Sequence, residues 1–220
     1  MTTVVITGAN RGIGLALVTH YLQQGCEVYG LCRNSADELN NSGAKVIDKV
    51  DVGNPEFLPE ALAKLNNVKI DLLINNAGVL ARESIQDWDP ITIEHQFRVN
   101  AMGPLLVSQC LLGQLKKNAK IVMITSRMGS LADNHSGGYY GYRMSKAALN
   151  AASVSMAHDL KEQGIAVGIL HPGYVQTEMV SYGGDISAEQ SAAQLAQRVS
   201  ELNIQNTGTF WHANGEVLPW

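Results

Sequence analysis

Cysteine is scarce. The 220 residues contain three, Cys26, Cys32 and Cys110, an odd set without Cys-x-x-Cys spacing. That argues against a disulfide framework or a redox pair, and reduced thiols in a cytoplasmic protein are the expectation. Charge is sparse as well: 16% of residues carry it, the net charge is −4, and no run of five or six like charges occurs. No nucleic-acid partner is therefore expected. No window approaches the ~20 apolar residues of a membrane span, so no membrane partner is expected either. The start, Met1-Thr2-Thr3-Val4-Val5-Ile6-Thr7, lacks the basic stretch and long apolar run of a secretory leader. With 45% hydrophobic residues, the composition suits one globular domain, residues 1–220, long enough to bury a full core.

What the chain does have is an alternation. Thr3–Thr7 is a short β-branched run that leads into Gly8-Ala9-Asn10-Arg11-Gly12-Ile13-Gly14 and then an amphipathic helix with Ile13, Leu17 and Leu22 apolar. Strand, glycine turn and helix in that order are the context of a dinucleotide site. Glycines let the backbone approach a pyrophosphate, and the helix start offers unpaired N–H groups to an anion. The spacing is Gly-x-x-x-Gly-x-Gly, and glycines also simply end strands.

A second strand, Glu27–Cys32, closes on Arg33. NAD enzymes place an acid near this point for the ribose 2′-hydroxyl, whereas a cation suits the 2′-phosphate of NADP. Arg33, with Arg11 as the other jaw of a phosphate clamp, therefore favours NADP(H) over NAD(H). An Asn-rich segment, Ser35–Gly43, reads as a loop. Lys45–Val50 reads as a third strand ending in Asp51-Val52, and Asn54-Pro55 as the cap and first position of a helix reaching Asn66. Ile70–Ile74 is a nearly all-apolar fourth strand that ends in Asn75-Asn76-Ala77-Gly78.

Asp89-Pro90 opens a long helix predicted to run towards Lys117. Pro104 inside it has no N–H, so the carbonyl of Asn100 loses its intrahelical partner. Lys120–Thr125 is a fifth strand that delivers Ser126-Arg127-Met128-Gly129-Ser130. In the next helix Tyr142 and Lys146 stand four apart, about 5–6 Å between Cβ atoms. An adjacent ammonium would draw a phenol's pKa down from ~10 towards neutral pH, making a general acid/base. The same spacing arises by chance in many helices. Of three crowded tyrosines, Tyr139, Tyr140 and Tyr142, only Tyr142 has the lysine in register. Ile165–Leu170 is a sixth strand, followed by Pro172-Gly173-Tyr174-Val175-Gln176-Thr177. Ser187-Ala188-Glu189-Gln190 is a capping box opening a helix with Leu195, Val199 and Leu202 inward. Thr209–His212 is a last strand.

Strands alternating with helices specify a doubly wound parallel sheet. With TGANRGIG, NNAG, Asn100, SRMG, YRMSK and PGYVQT in this order, the chain resembles the short-chain dehydrogenase/reductase family over nearly its whole length. GTFWHANGEVLPW and DNHSGGYYGYRMSKAALN resemble its small carbonyl-reductase, C-factor-like branch. The resemblance implies an α/β Rossmann fold flanked by helices and hydride transfer between NADP(H) and a small carbonyl or alcohol.

It further implies that Ser126 bonds the substrate oxygen and Tyr142 acts as general acid/base. Lys146 would lower the phenol's pKa and bind the nicotinamide ribose, and Asn100 would hold a water through its main-chain carbonyl. Gly8, Gly12, Ile13 and Gly14 would line the pyrophosphate, and Asp51 and Val52 the adenine. Asn76, Ala77 and Gly78 would border the cofactor, with Pro172, Gly173, Val175 and Thr177 at its nicotinamide end. Sixteen residues separate Ser126 from Tyr142, a long interval whose His135 is expected at the surface. The substrate segment 178–186 is short, with Gly183-Gly184 a hinge candidate. The helices around Asn100 and Tyr142 could supply the interface of a homodimer or homotetramer. Two other classes remain: an NADP(H)-binding sensor or signalling protein with little turnover, and a sugar-nucleotide epimerase or dehydratase, which Arg33 and the short C-terminal half disfavour.

Overall fold

The computed structural model describes residues 1–220. Seven strands form one parallel sheet: β1 (Thr3–Thr7), β2 (Glu27–Leu31), β3 (Lys45–Ile47), β4 (Ile70–Asn75), β5 (Leu115–Ile124), β6 (Ala166–His171) and β7 (Phe210–His212). Their order is β3-β2-β1-β4-β5-β6-β7. The chain reverses its direction of travel between β1 and β4, so a crevice opens at the carboxyl ends of those strands, where such sheets bind ligands. Seven helices cover the two faces: α1 (Gly12–Gln23), α2 (Asp37–Asn40), α3 (Leu58–Leu62), α4 (Pro90–Phe97), α5 (Gly103–Leu111), α6 (Tyr140–Asp159) and α7 (Ala188–Glu201).

The strands read as unbroken apolar runs because both their faces are buried. On one face Val5, Leu73, Ile121 and Val167 pack under Leu58, Leu62, Val107, Leu111 and Leu149. On the other, Val4, Ile6, Leu72 and Val122 pack under Leu17, Val18, Leu195 and Val199. The expected inner faces of α3 and α7 are therefore the buried ones. Truncating a fully buried leucine such as Leu73 to alanine would cost about 2–5 kcal/mol. No helix is long and apolar enough to cross a membrane.

Local side-chain caps set two of the helix starts. Asp89 caps α4 by accepting from the backbone N–H of Ile91 (3.2 Å) and Thr92 (2.9 Å), and Ser187 with Gln190 forms the complete capping box of α7. Several boundaries differ from expectation. The Asn-rich segment holds α2, and β3 stops at Ile47. Asn54 does not cap a helix: its carbonyl accepts from Leu58 N (3.1 Å) in a lone turn, and α3 begins only at Leu58. The helix begun at Pro90 ends in a 3₁₀ turn at Gln114, and β5 starts at Leu115, through an irregular register between Ile70 and Leu72, rather than at Lys120. That helix is also not uniform. Arg98–Met102 forms a π-helical turn just before Pro104, the form a helix adopts where its regular ladder is interrupted.

Candidate active site

Two loops at the carboxyl ends of β1 and β4 are fastened together. Thr7 Oγ1 accepts from the backbone N–H of Asn76 (3.0 Å) and Ala77 (3.1 Å), while Asn76 Nδ2 donates to the carbonyls of Thr7 (3.0 Å) and Gly8 (3.2 Å). Gly8 has φ +65°, and a Cβ there would lie 2.8 Å from Ala77 Cα; a Cβ on Gly14 would lie 2.1 Å from the Gly8 carbonyl oxygen. Only glycine fits this turn. α1 starts directly behind it, with no side-chain cap and no acidic residue in its first turn. Its unpaired N–H groups and the positive end of its dipole thus remain available to an anion.

The crevice is a cleft of about 500 Å³. Gly8, Gly12, Ile13 and Gly14 line one end, with Arg33, Asp51 and Val52 beside them and Asn76, Ala77 and Gly78 along one wall. Tyr142, Lys146, Pro172 and Thr177 line the other end. Gly173 and Val175 stand outside the lining. Instead, Val175 is buried and bridges to Ile186 beneath the lid.

Arg33 is exposed at the rim. Arg11 also lines the cleft, and its exposed guanidinium pairs with Glu178 across the cleft mouth. Sequence reasoning missed Asn10, Asn34 and Gln176 in the lining, while Met179 and Tyr182 come from the expected substrate segment 178–186. Asn10, within the glycine turn, was the one with a signal; its Nδ2 donates to the carbonyl of Asn34 (3.1 Å) and ties that turn to the loop after β2. A Cβ on Gly184 would lie 2.4 Å from Gln176 N, because the backbone of segment 178–186 packs directly on the 174–176 segment.

At the inner end, α6 carries Tyr142 and Lys146, both buried. Lys146 Nζ donates to the carbonyl of Ile124 (2.9 Å) and lies 5.7 Å from the Tyr142 ring centroid. Ser126, which follows Thr125 at the end of β5, is buried and near enough to the phenol for hydrogen bonding to lower the phenol's pKa. It also accepts from Met128 N (3.1 Å), which starts a 3₁₀ turn, Arg127–Gly129, against α6. Asn100 is fully buried. Its Oδ1 accepts from Val79 N (2.8 Å), and its Nδ2 donates to Val79 O (2.8 Å) and Ser145 Oγ (3.0 Å). Ser145 Oγ donates onward to the carbonyl of Tyr142 (2.8 Å). The side chain of Asn100 therefore cross-links the β4 loop to the tyrosine helix, a role that its sequence position did not announce.

The electrostatics depart from expectation in one respect. Burial pushes the Tyr142 phenol above its ordinary value, and the hydrogen bond with Ser126 pulls the other way. The lysine does not draw it down. Lys146 spends a donor on Ile124, and its own burial lowers its pKa to about 8, so desolvation wins over attraction at this pair.

The long interval between Ser126 and Tyr142 is held at fixed points. Arg143 donates to the carbonyls of Gly138 (3.1 Å), Met128 (3.4 Å) and Gly137 (3.3 Å) and to Ser136 Oγ (2.9 Å). Arg127 pairs with Asp133 (2.8 Å) and Glu216 (3.3 Å), and Ala132 N donates to the carbonyl of Trp220 (2.9 Å). Leu131, Asn134 and His135 between these anchors are exposed.

A model of the family described as short chain dehydrogenase matches residues 2–188. The 1-hydroxy-2-glutathionyl-2-methyl-3-butene dehydrogenase of Rhodococcus sp. (strain AD45) is 35% identical, over 100% of this chain and of that protein. The C-signal of Myxococcus xanthus is 42% identical over 69% of this chain and 93% of its own. Among solved structures, an NADPH-bound carbonyl reductase from chicken fatty liver is 30% identical with a TM-score of 0.91, covering 100% of this chain and 99% of that one.

Proposed function

The chain belongs to the short chain dehydrogenase family, and on that premise we propose that it reduces a small aldehyde, ketone or diketone with NADPH, or oxidises the corresponding alcohol. The observation that carries the reading is the buried pair Tyr142 and Lys146 in the lining of the cleft's inner end, with buried Ser126 beside the phenol.

The residues fit the cofactor. The turn in which any Cβ would meet backbone and the uncapped start of α1 suit a pyrophosphate. Arg33 at the rim, where NAD enzymes carry an acid, suits a 2′-phosphate. Asp51 and Val52 would flank the adenine, and Lys146 would hold the nicotinamide ribose. Bound NADPH would supply the hydride. Ser126 steadies the substrate oxygen while the Tyr142 phenol, kept protonated by burial, gives up its proton to that oxygen. The phenol is protonated at neutral pH and so enters reduction as the acid, and it would donate best with its pKa brought nearer the working pH. The carbonyl of Asn100, at the π-helical turn, would seat the water through which Lys146 exchanges protons with solvent.

Positioned proton transfer contributes typically ~10²–10⁴-fold. Tyr142→Phe is therefore expected to lose at least two orders of magnitude in turnover of a carbonyl panel and to bind NADPH within a few-fold of wild type. Near wild-type turnover in that variant would sink the assignment. A second reading, an NADP(H)-binding signalling protein with little turnover, is not favoured by the comparisons. Tight NADPH binding with no oxidation on any aldehyde, ketone or 1,2-diketone would select it.

A further inference from the structure

Glu83 and Lys146 are the two buried charged side chains of this fold. Lys146 belongs to the cleft, whereas Glu83 lies behind it on the loop that follows Gly78. A buried carboxylate needs full compensation, and the partners of this one are specific. One oxygen accepts from Gln96 Nε2, and the other accepts from the backbone N–H of Gly141 (3.1 Å). Its main-chain carbonyl accepts from Tyr139 N (2.9 Å). Gln96 is itself fixed, its Oε1 accepting from Ala81 N (2.9 Å).

This arrangement starts α6. The residue at its cap position, Tyr139, has φ 54° and offers no side-chain cap, and no acidic residue lies in the first turn. A carboxylate 58 positions earlier in the chain does that work instead, satisfying an unpaired donor at the positive end of a twenty-residue helix. The seat is made for it: a Cβ on Gly141 would lie 2.9 Å from Glu83 Oε1 and 2.4 Å from Gln96 Nε2. Gly141 immediately precedes Tyr142.

We propose that Glu83 is a positioning residue, whose buried carboxylate fixes the first turn of α6 and so the placement of the Tyr142 phenol against the substrate oxygen. The proposal rests on Tyr142 being the general acid. A displacement of about 1 Å at a proton-transfer group can cost ~10²-fold in rate, while Lys146, a turn further along α6, keeps its own anchor on the Ile124 carbonyl and the cofactor contacts along the glycine turn lie on other elements. Glutamine at this position can still accept from Gly141 N, but its amide nitrogen would then face the amide nitrogen of Gln96. Alanine loses both links.

The test measures kcat on a 1,2-diketone panel and NADPH affinity for Glu83→Ala, Glu83→Gln and Tyr142→Phe, with circular dichroism confirming folded protein at the assay temperature. Expected are a fall of at least tenfold in kcat for Glu83→Ala, kcat within about threefold of wild type for Glu83→Gln, and NADPH affinity within twofold for both. Wild-type kcat in Glu83→Ala overturns the proposal, and so does a loss of NADPH affinity in step with kcat, the mark of general loosening. Should Glu83→Ala not fold, Gln96→Leu leaves the cap but frees the carboxylate. A few-fold loss of kcat at unchanged NADPH affinity is expected there, and no loss overturns the proposal. If Tyr142→Phe keeps its turnover, or wild type turns over no carbonyl, the reading of the site fails rather than the cap geometry alone.

Discussion

His171, the last residue of β6, should make this protein lose stability in acid. Its ring lies 4.9 Å from that of His212, and its Nδ1 is buried without a partner. Burial first, then the neighbouring His212, Arg127 and Lys146, lower its pKa to about 3. An unfolded histidine takes up its proton near pH ~6.5. Below that pH the unfolded chain binds a proton that the folded chain refuses, so stability falls from about pH 6.5 downward and keeps falling towards pH 3. At pH 5, roughly 1.5 units below the unfolded value, the loss is about 2 kcal/mol at ~1.36 kcal/mol per unit. This figure depends little on the folded value, because pH 5 lies well above it.

For a chain of this size such a loss moves Tm by about 4–8 °C. His171→Leu removes both the titration and the unpartnered nitrogen. Urea unfolding at pH 7.5 and 5.0 should show the variant losing about 2 kcal/mol less than wild type between the two. His212 is also held down, but it remains in both proteins and cancels in the difference. Equal acid losses would refute the reasoning.

Two further outcomes follow from contacts in the cleft. Arg33→Asp should shift the ratio of kcat/KM for NADPH over NADH by at least tenfold towards NADH; an unchanged ratio in steady-state kinetics would show that Arg33 does not meet a 2′-phosphate. Gly129→Ala would set a Cβ 2.8 Å from the backbone carbon of Lys146 and 3.0 Å from Ala147 N, forcing the Ser126 turn off α6. Urea melts should register about 1–3 kcal/mol of overpacking, and kcat should fall more than tenfold.

Features written in neighbouring residues were legible from the chain. Asp89-Pro90 and the Ser187 box specify helix starts within one turn, and the glycine turn needs only its own strand and helix to be recognised. Tyr142 and Lys146 share a helix face by spacing alone. What escaped the reading depends on partners far away in sequence. The ion pair of Arg11 with Glu178 joins residues 167 positions apart, and no local spacing announces it. Asn100 was read through its carbonyl, while its side chain binds Val79 and Ser145. The direction of the phenol's shift failed for the same reason, since desolvation sums over everything packed around Tyr142 and no local motif reports it. Asn54 and Pro55 show the converse failure, a good local cap overruled by a turn that delays α3 to Leu58.

The fastening of the 130–138 loop has an evolutionary consequence. Arg127 and Arg143 hold it through backbone carbonyls, Ser136 and Asp133, so the identities of the exposed Leu131 and His135 carry little of the structure's stability. Those positions can drift while Tyr142 at the start of α6 stays in register. A fold wired in this way separates what it acts upon from how it acts, and can explore new chemistry at its rim without losing the old at its centre.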